Sequence, residues 1–151
     1  MNYHKFFGRE SEEVSRDLLG RLLVRNTDEG STSGKITQTG AYEGGSETPT
    51  RAGMKYPPGT LFLMRYRNSY LFNIATGKRG EPSCVEVREL AFHDGRIEGS
   101  GAVTKFFEIT PDLDEILLGD EIEILGDSVE EDKVKKIKGT SSNCRGYFLI
   151  K

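Results

Sequence analysis

Between Arg51 and Gly80 the chain carries no acidic residue, and Arg51, Lys55, Arg65, Arg67, Lys78 and Arg79 give this segment a local charge of +6. Tyr56, Phe62, Tyr66, Tyr70 and Phe72 are interleaved with those cations. Cationic side chains hold phosphates, and aromatic faces stack on bases or wedge between them. The combination is one that nucleic-acid binding requires. The same aromatics at the same spacings also suit the core of a strand, so composition alone leaves both readings open.

The whole chain conceals this feature, because its 151 residues sum to a formal net charge of −3. From Glu108 to Asp132 there is no basic residue and there are eleven carboxylates, after which Lys133, Lys135, Lys136 and Lys138 are basic again. A phosphate backbone responds to the local field and not to the total, so mild overall acidity does not exclude a nucleic-acid partner. The acidic run suits a solvated helix and strand edge, or a basic partner. Length points to one domain spanning residues 1–151. No apolar run reaches the ~18 residues of a membrane span, and no charged-then-apolar leader is present, so a soluble, unsecreted protein with no membrane partner is expected. Cys84 and Cys144 stand outside any CxxC pair and read as free, partly buried thiols of a reducing cytosol.

Other chemistries find no support. His4 and His93 lie far apart, no spacing matches a zinc site, and no serine or cysteine nucleophile stands at a recognised distance from either. Gly99-Ser100-Gly101 lacks the lysine of a phosphate loop. No metal or cofactor is indicated.

The elements that must position the cationic and aromatic residues are short. Ser11–Leu19 suits a helix, with Ser11 as cap, Glu12 and Glu13 at its positive end, an apolar stripe of Val14, Leu18 and Leu19, and Gly20 as stop. Strands are expected at Arg21–Arg25 and Lys35–Tyr42, and a loop across Gly44–Gly59. Leu61–Tyr66 and Tyr70–Ala75 flank Arg67-Asn68-Ser69 as a hairpin. In the strand Cys84–Phe92, Val85 and Val87 point one way and Cys84, Glu86 and Arg88 the other. A short acidic helix from Pro111 to Gly119 and strands at Glu121–Leu125, Lys133–Ile137 and Tyr147–Ile150 follow. The expected fold is α+β: a single domain with a curved antiparallel sheet, a protruding β-hairpin and a few helices.

Taken in order, several segments resemble the alkyladenine (3-methyladenine) DNA glycosylase family. They are Phe6-Phe7 with Leu18-Leu19-Gly20 and Leu22-Leu23-Val24; Gly34-Lys35-Ile36 with Thr39-Gly40-Ala41-Tyr42; and Pro58-Gly59-Thr60-Leu61 with Tyr66 and Asn73-Ile74. Cys84-Val85-Glu86-Val87-Arg88-Glu89-Leu90 and Gly99-Ser100-Gly101 with Thr104-Lys105 complete the series. The chain is shorter than typical members. The resemblance implies base-excision repair: an alkylated base is flipped from double-stranded DNA at a cost of roughly a few kcal/mol, and its N-glycosidic bond is hydrolysed by a monomer that needs no cofactor. Residue by residue, it implies that Tyr66 fills the vacated stack, with Arg65 and Arg67 beside it on phosphates. It further implies that Tyr42 stacks on the flipped base, Asn73 reads the base edge, and Arg88 helps hold the catalytic water. Arg88 also fits a plain salt-bridged strand residue, with Glu86 or Glu89 as partner. The implied location is the cytoplasm, on the nucleoid, or the nucleus of a eukaryote.

The pattern breaks at the catalytic base. Hydrolysis needs a group to orient and deprotonate water as oxocarbenium character develops at the sugar. The family places a glutamate directly before the Ala-Tyr pair; here that residue is Gly40, and the preceding family glutamate is Gln38. The family's stacking histidine has no counterpart, and a third pocket aromatic falls near Leu63 or Met64. Glu43 or Glu47 is one substitute carboxylate, although Glu43 lies about 10 Å along a strand from position 40 by the ~3.3 Å rise and on its other face. The remaining readings are a non-catalytic binding module for damaged DNA or another partner, and a redesigned or minimised glycosylase scaffold.

Overall fold

The structure, a computed structural model, describes residues 1–44, 53–139 and 144–151. Arg51 and Glu47, and half of the expected loop around them (residues 45–52), lie outside the described residues. The order of elements begins with helices α1 (Tyr3–Phe7) and α2 (Ser11–Leu18), then strands β1 (Leu22–Thr27), β2 (Gly30–Glu43), β3 (Thr60–Tyr66), β4 (Ser69–Ala75), β5 (Ser83–Ala91) and β6 (Ile97–Gly99). Helix α3 (Ser100–Phe106) and strands β7 (Ile116–Leu117), β8 (Ile122–Leu125), β9 (Val134–Ile137) and β10 (Cys144–Ile150) complete it. All strands join one curled antiparallel sheet along the path β7-β3-β4-β5-β2-β1-β8, with β10 on β2, β9 on β10 and β6 on β5. The fold is α+β, as the residue pattern predicts.

The alternation in β5 sorts the two faces of the sheet. On one face, Leu61, Ile74, Val85 and Ala41 form a row across four strands, with Leu63, Phe72, Val87, Thr39 and Phe148 in the next. Most of these side chains are fully buried in the main core. Helix α2 covers this face because Ser11, Val14, Ser15 and Leu18 recur at helical spacing and are all buried. Burying Val14 and Leu18 contributes about 1.5–3 kcal/mol each, and the Thr39 hydroxyl donates to the Ser15 carbonyl at 2.7 Å beneath them. The other face carries two rows of interest: Ala75, Cys84, Tyr42 and Cys144, then Phe62, Asn73, Glu86, Gly40 and Tyr147.

Two local expectations are corrected. Ser11 does not cap α2 with its own side chain; the Glu43 carboxylate reaches across from β2 and accepts from the Ser11 amide at 3.1 Å and its hydroxyl at 2.9 Å. The helix expected over Pro111–Gly119 shrinks to a single 3-10 turn, Pro111–Leu113, because Ile116–Leu117 pairs with Thr60–Leu61 as β7. Within this acidic segment Asp114 accepts the Leu63 amide at 2.7 Å, and Glu115 accepts the Tyr56 hydroxyl, so two of its carboxylates serve the fold. Both cysteines are free and buried. They flank Tyr42 on either side across the sheet, two strand spacings of about 4.8 Å apart, too far for a disulfide. Among the described residues no helix is long and apolar enough to cross a membrane.

Candidate nucleic-acid interface and base pocket

Strands β3 and β4 form a hairpin in register from Leu61–Ile74 to Tyr66–Ser69, so the connection is the pair Arg67-Asn68, with Ser69 already in the strand. Arg67 takes φ +57°, the positive value that two-residue hairpin turns demand of a central residue. Arg65, Tyr66, Arg67 and Asn68 are all exposed at the tip. Tyr66 leaves 55% of its surface in solvent, with the Arg67 guanidinium 5.3 Å from its ring centre. An aromatic ring this exposed between two arginines contributes nothing to the core. Tyr56, Phe62 and Phe72 do the opposite and pack inward, so the aromatics of the basic run divide between the two uses that composition left open.

The hairpin is braced by α3. Thr104 donates to the Tyr70 carbonyl at 2.9 Å. Any Cβ at Gly101 would come within 3.0 Å of Ser69 Oγ, so the glycine admits the close approach. Between the hairpin, α3 and the second face of the sheet lies a cleft of about 480 Å³, lined by Tyr42, Tyr66, Arg67, Ser69, Leu71, Glu86, Arg88, Ser100 and Gly101.

At the floor of this cleft Arg88 Nη1 donates to Glu86 Oε1 at 3.0 Å and to the Tyr42 hydroxyl at 3.2 Å, and that hydroxyl donates to the same Oε1 at 3.3 Å. The Arg88 guanidinium also lies 4.1 Å above the Tyr147 ring centre. A register shift in the β2–β5 pairing leaves Arg88 as the extra residue between the Gln38–Glu89 and Thr39–Val87 pairs. Such bulges re-aim a side chain, and here the guanidinium returns along its own strand to Glu86. The Glu86 side chain is 3% exposed and that of Arg88 25%. Burial pushes the Glu86 carboxyl above the ordinary carboxylate range, against the opposing pull of Arg88 and of the neighbouring Ser100 and Tyr42 hydroxyls; the Ser100 hydroxyl itself donates to the Arg88 carbonyl at 3.4 Å. Burial and the Glu86 charge also raise the Tyr42 phenol, which stays protonated. Glu86 Oε2 and Arg88 Nε are buried without a hydrogen-bond partner among the described residues.

The residues singled out from the sequence meet here unevenly. Tyr42, Arg88, Tyr66 and Arg67 line one cleft. Arg65 stands beside it on the exposed hairpin. Gly40 sits beneath, between Glu86 and Tyr147 in its cross-strand row. Asn73 occupies the same row next to Glu86 but is 1% exposed and does not line the cleft, and its Nδ2 has no partner among the described residues. Glu43 lies elsewhere, holding the start of α2 and pairing with Arg145 at 3.4 Å. The suggestion that it supplies a carboxylate to the pocket therefore finds no geometric basis. Glu86 is the residue that sequence reasoning passed over except as a salt-bridge partner. Its alternation with Arg88 put both on one face, but only the register sets it directly opposite Gly40.

Comparison with known proteins agrees with this geometry. The profile of the family described as Methylpurine-DNA glycosylase (MPG) matches residues 5–140. Relatives named "Putative 3-methyladenine DNA glycosylase" are 35% identical over 101 residues in Lactobacillus johnsonii (60% of this chain, 49% of the relative) and 33% identical over 101 residues in Bacillus licheniformis (60% and 52%). One from Anaeromyxobacter is 35% identical over 94 residues (56% and 48%). The chain spans about half the length of the curated relatives it matches. With the match running from α1 to beyond β9, through every described strand of the cleft but β10, the chain belongs to the methylpurine-DNA glycosylase family.

Proposed function

We propose that this chain acts in base-excision repair, binding double-stranded DNA at an alkylated base, flipping that base into the cleft and leaving Tyr66 in the vacated stack. The observation that carries this reading is the single cleft joining an exposed aromatic at the hairpin tip to the Tyr42 ring and the Glu86–Arg88 pair. A wedge and a pocket on one chain are what extrusion of a nucleotide needs, and they need no second copy, so a monomer suffices. Arg65 and Arg67 supply phosphate contacts beside the wedge. Tyr42 is the stacking face, and Arg88 the group that orients water near the sugar. The residues at work are this chain's own; no cofactor enters the reading. Its working compartment is the one that holds DNA: the cytoplasm, on the nucleoid, or the nucleus of a eukaryote.

The test is binding to a duplex with one abasic or alkylated site beside the same duplex undamaged, over a range of salt. The damaged duplex is expected to bind more tightly, with affinity falling as salt rises. Tyr66→Ala is expected to weaken damaged-site binding by about 5- to 150-fold, since base–aromatic stacking is worth ~1–3 kcal/mol. Equal affinity for both duplexes, or a Tyr66→Ala protein that binds as the parent does, would refute the reading.

A further inference from the structure

We infer that Glu86 is the general base of this enzyme, a carboxylate supplied by β5 to replace the one the family carries on β2. The inference rests on the reading above, that the cleft receives a flipped base.

Three observations carry it. Glu86 is the direct cross-strand partner of Gly40, in a row that runs Asn73, Glu86, Gly40, Tyr147. Side chains directly opposite one another in an antiparallel pair start only about 4.5–5.5 Å apart at Cβ, so a carboxylate on either strand can serve the same small volume. Second, the space a side chain at position 40 would need is already filled: a Cβ there would stand 3.1 Å from Tyr42 Cε2 and 3.3 Å from Arg88 Cδ and Tyr147 Cδ1. Gly40 is thus the residue that lets Tyr42, Arg88 and Tyr147 close over Glu86. Third, Glu86 lines the cleft with one oxygen committed to Arg88 and Tyr42 and the other, Oε2, buried and without a partner among the described residues. A structural ion pair of this depth ordinarily satisfies both oxygens. A water in the cleft would satisfy Oε2 and receive its second orientation from Arg88, whose Nε is likewise unpartnered.

The step balances without a further reactant. The water oxygen bonds to C1′ of the flipped nucleotide and its proton passes to Glu86 Oε2. The C1′–N bond breaks, and its electron pair leaves with the base. For a cationic base such as 3-methyladenine that pair neutralises the positive charge, so the products are the free base and an abasic sugar. Glu86 must be ionised to act. The groups facing it are Arg88 and Cys84 on its own strand, Tyr42 on β2 and the Ser100 hydroxyl from α3, while Tyr147 and Cys144 on β10 face Tyr42 and Arg88. Arg88 is the cation among them, and burial outweighs it, so the rate is expected to rise with pH to a plateau whose midpoint lies above the ordinary carboxylate range.

The experiment is single-turnover release of methylated base from a duplex treated with dimethyl sulfate, measured from pH 4.5 to 8.5 on the parent, Glu86→Gln and Glu86→Asp. Affinity for an abasic-site duplex and thermal melting are followed in parallel. Losing a general base costs typically 10²–10⁴-fold, so the expected result is that loss in Glu86→Gln with damaged-site affinity held within threefold and the pH-dependent limb abolished. Partial recovery is expected in Glu86→Asp. Should Glu86→Gln melt too low to measure, the parent's profile decides alone: a flat profile over this range overturns the inference. Release by Glu86→Gln at the parental rate overturns the role of Glu86 and leaves the reading of the cleft standing, as does a parent that binds damage but releases nothing. A parent that fails to distinguish damaged from intact duplex overturns the reading itself.

Discussion

A glutamate introduced at position 40, the residue type the family carries there, is expected to harm this protein. Its Cβ would meet Tyr42, Arg88 and Tyr147 at 3.1–3.3 Å, and overpacking of this kind costs about 1–3 kcal/mol. Its carboxylate would also share the pocket with Glu86. At a separation of ~6 Å and an effective dielectric constant of ~20, two like charges repel by about 3 kcal/mol. Arg88 recovers part of this, and removing a strand glycine returns roughly 0.5–1 kcal/mol. The net expectation is a loss of about 3–5 kcal/mol at pH 8, or roughly 6–20 °C in Tm for a chain of this size. The charge part is isolated by a cycle that compares Gln with Glu at position 40 in the background of Glu86 and of Glu86→Gln. Urea unfolding should give a coupling energy of about 3 kcal/mol at pH 8, shrinking toward pH 5 as one of the two carboxylates takes up a proton. Coupling below ~0.5 kcal/mol, the level at which distant sites add, would refute the geometry. Faster base release in Gly40→Glu than in the parent would show that the carboxylate belongs at position 40 after all.

Arg67→Gly removes a non-glycine residue from φ +57° and should stabilise the fold by about 1 kcal/mol in urea unfolding. The same change should weaken duplex binding and reduce its salt slope by about one unit; a destabilised variant, or an unchanged slope, would contradict the assignment of this turn. Glu43→Ala withdraws the carboxylate that holds the first turn of α2 and should cost about 1 kcal/mol, lowering Tm by about 2–4 °C. Its damaged-site affinity and base release should match the parent, and a selective loss of release would return Glu43 to the active centre. Because burial raises the Glu86 carboxyl in the folded state, its ionisation opposes folding. The sign is that Glu86 contributes stability below its unfolded value, and this contribution is lost as pH rises through the folded one. Parent stability measured relative to Glu86→Gln should therefore fall between pH 4 and pH 8, and a difference that grows over that window would contradict the assignment.

Several elements were legible in the residues because their causes are local. The apolar stripe of α2, the alternation of β5 and the β3–β4 hairpin each follow from a period or a short connection, and each stands within a residue or two of its expected place. Helix α3 and strand β6 were not foreseen, since seven and three residues carry too little period to register. The acidic stretch after Pro111 carried helix-starting signals, yet pairing of Ile116–Leu117 with β3 turned it into a strand.

Sequence alone determined the materials of the site. It assigned a basic, acid-free segment laced with aromatics, placed Glu86 and Arg88 on one side of their strand, and left position 40 without a side chain. Tertiary structure decided which of these meet. The facing of Glu86 and Gly40 is a matter of register between two strands more than forty residues apart, and nothing within either strand specifies its partner's position. The fate of Glu43 was decided the same way, by a helix start brought to it from 32 residues away. A carboxylate's role depends on which charges and walls surround it, and those are delivered by contacts distant in the chain.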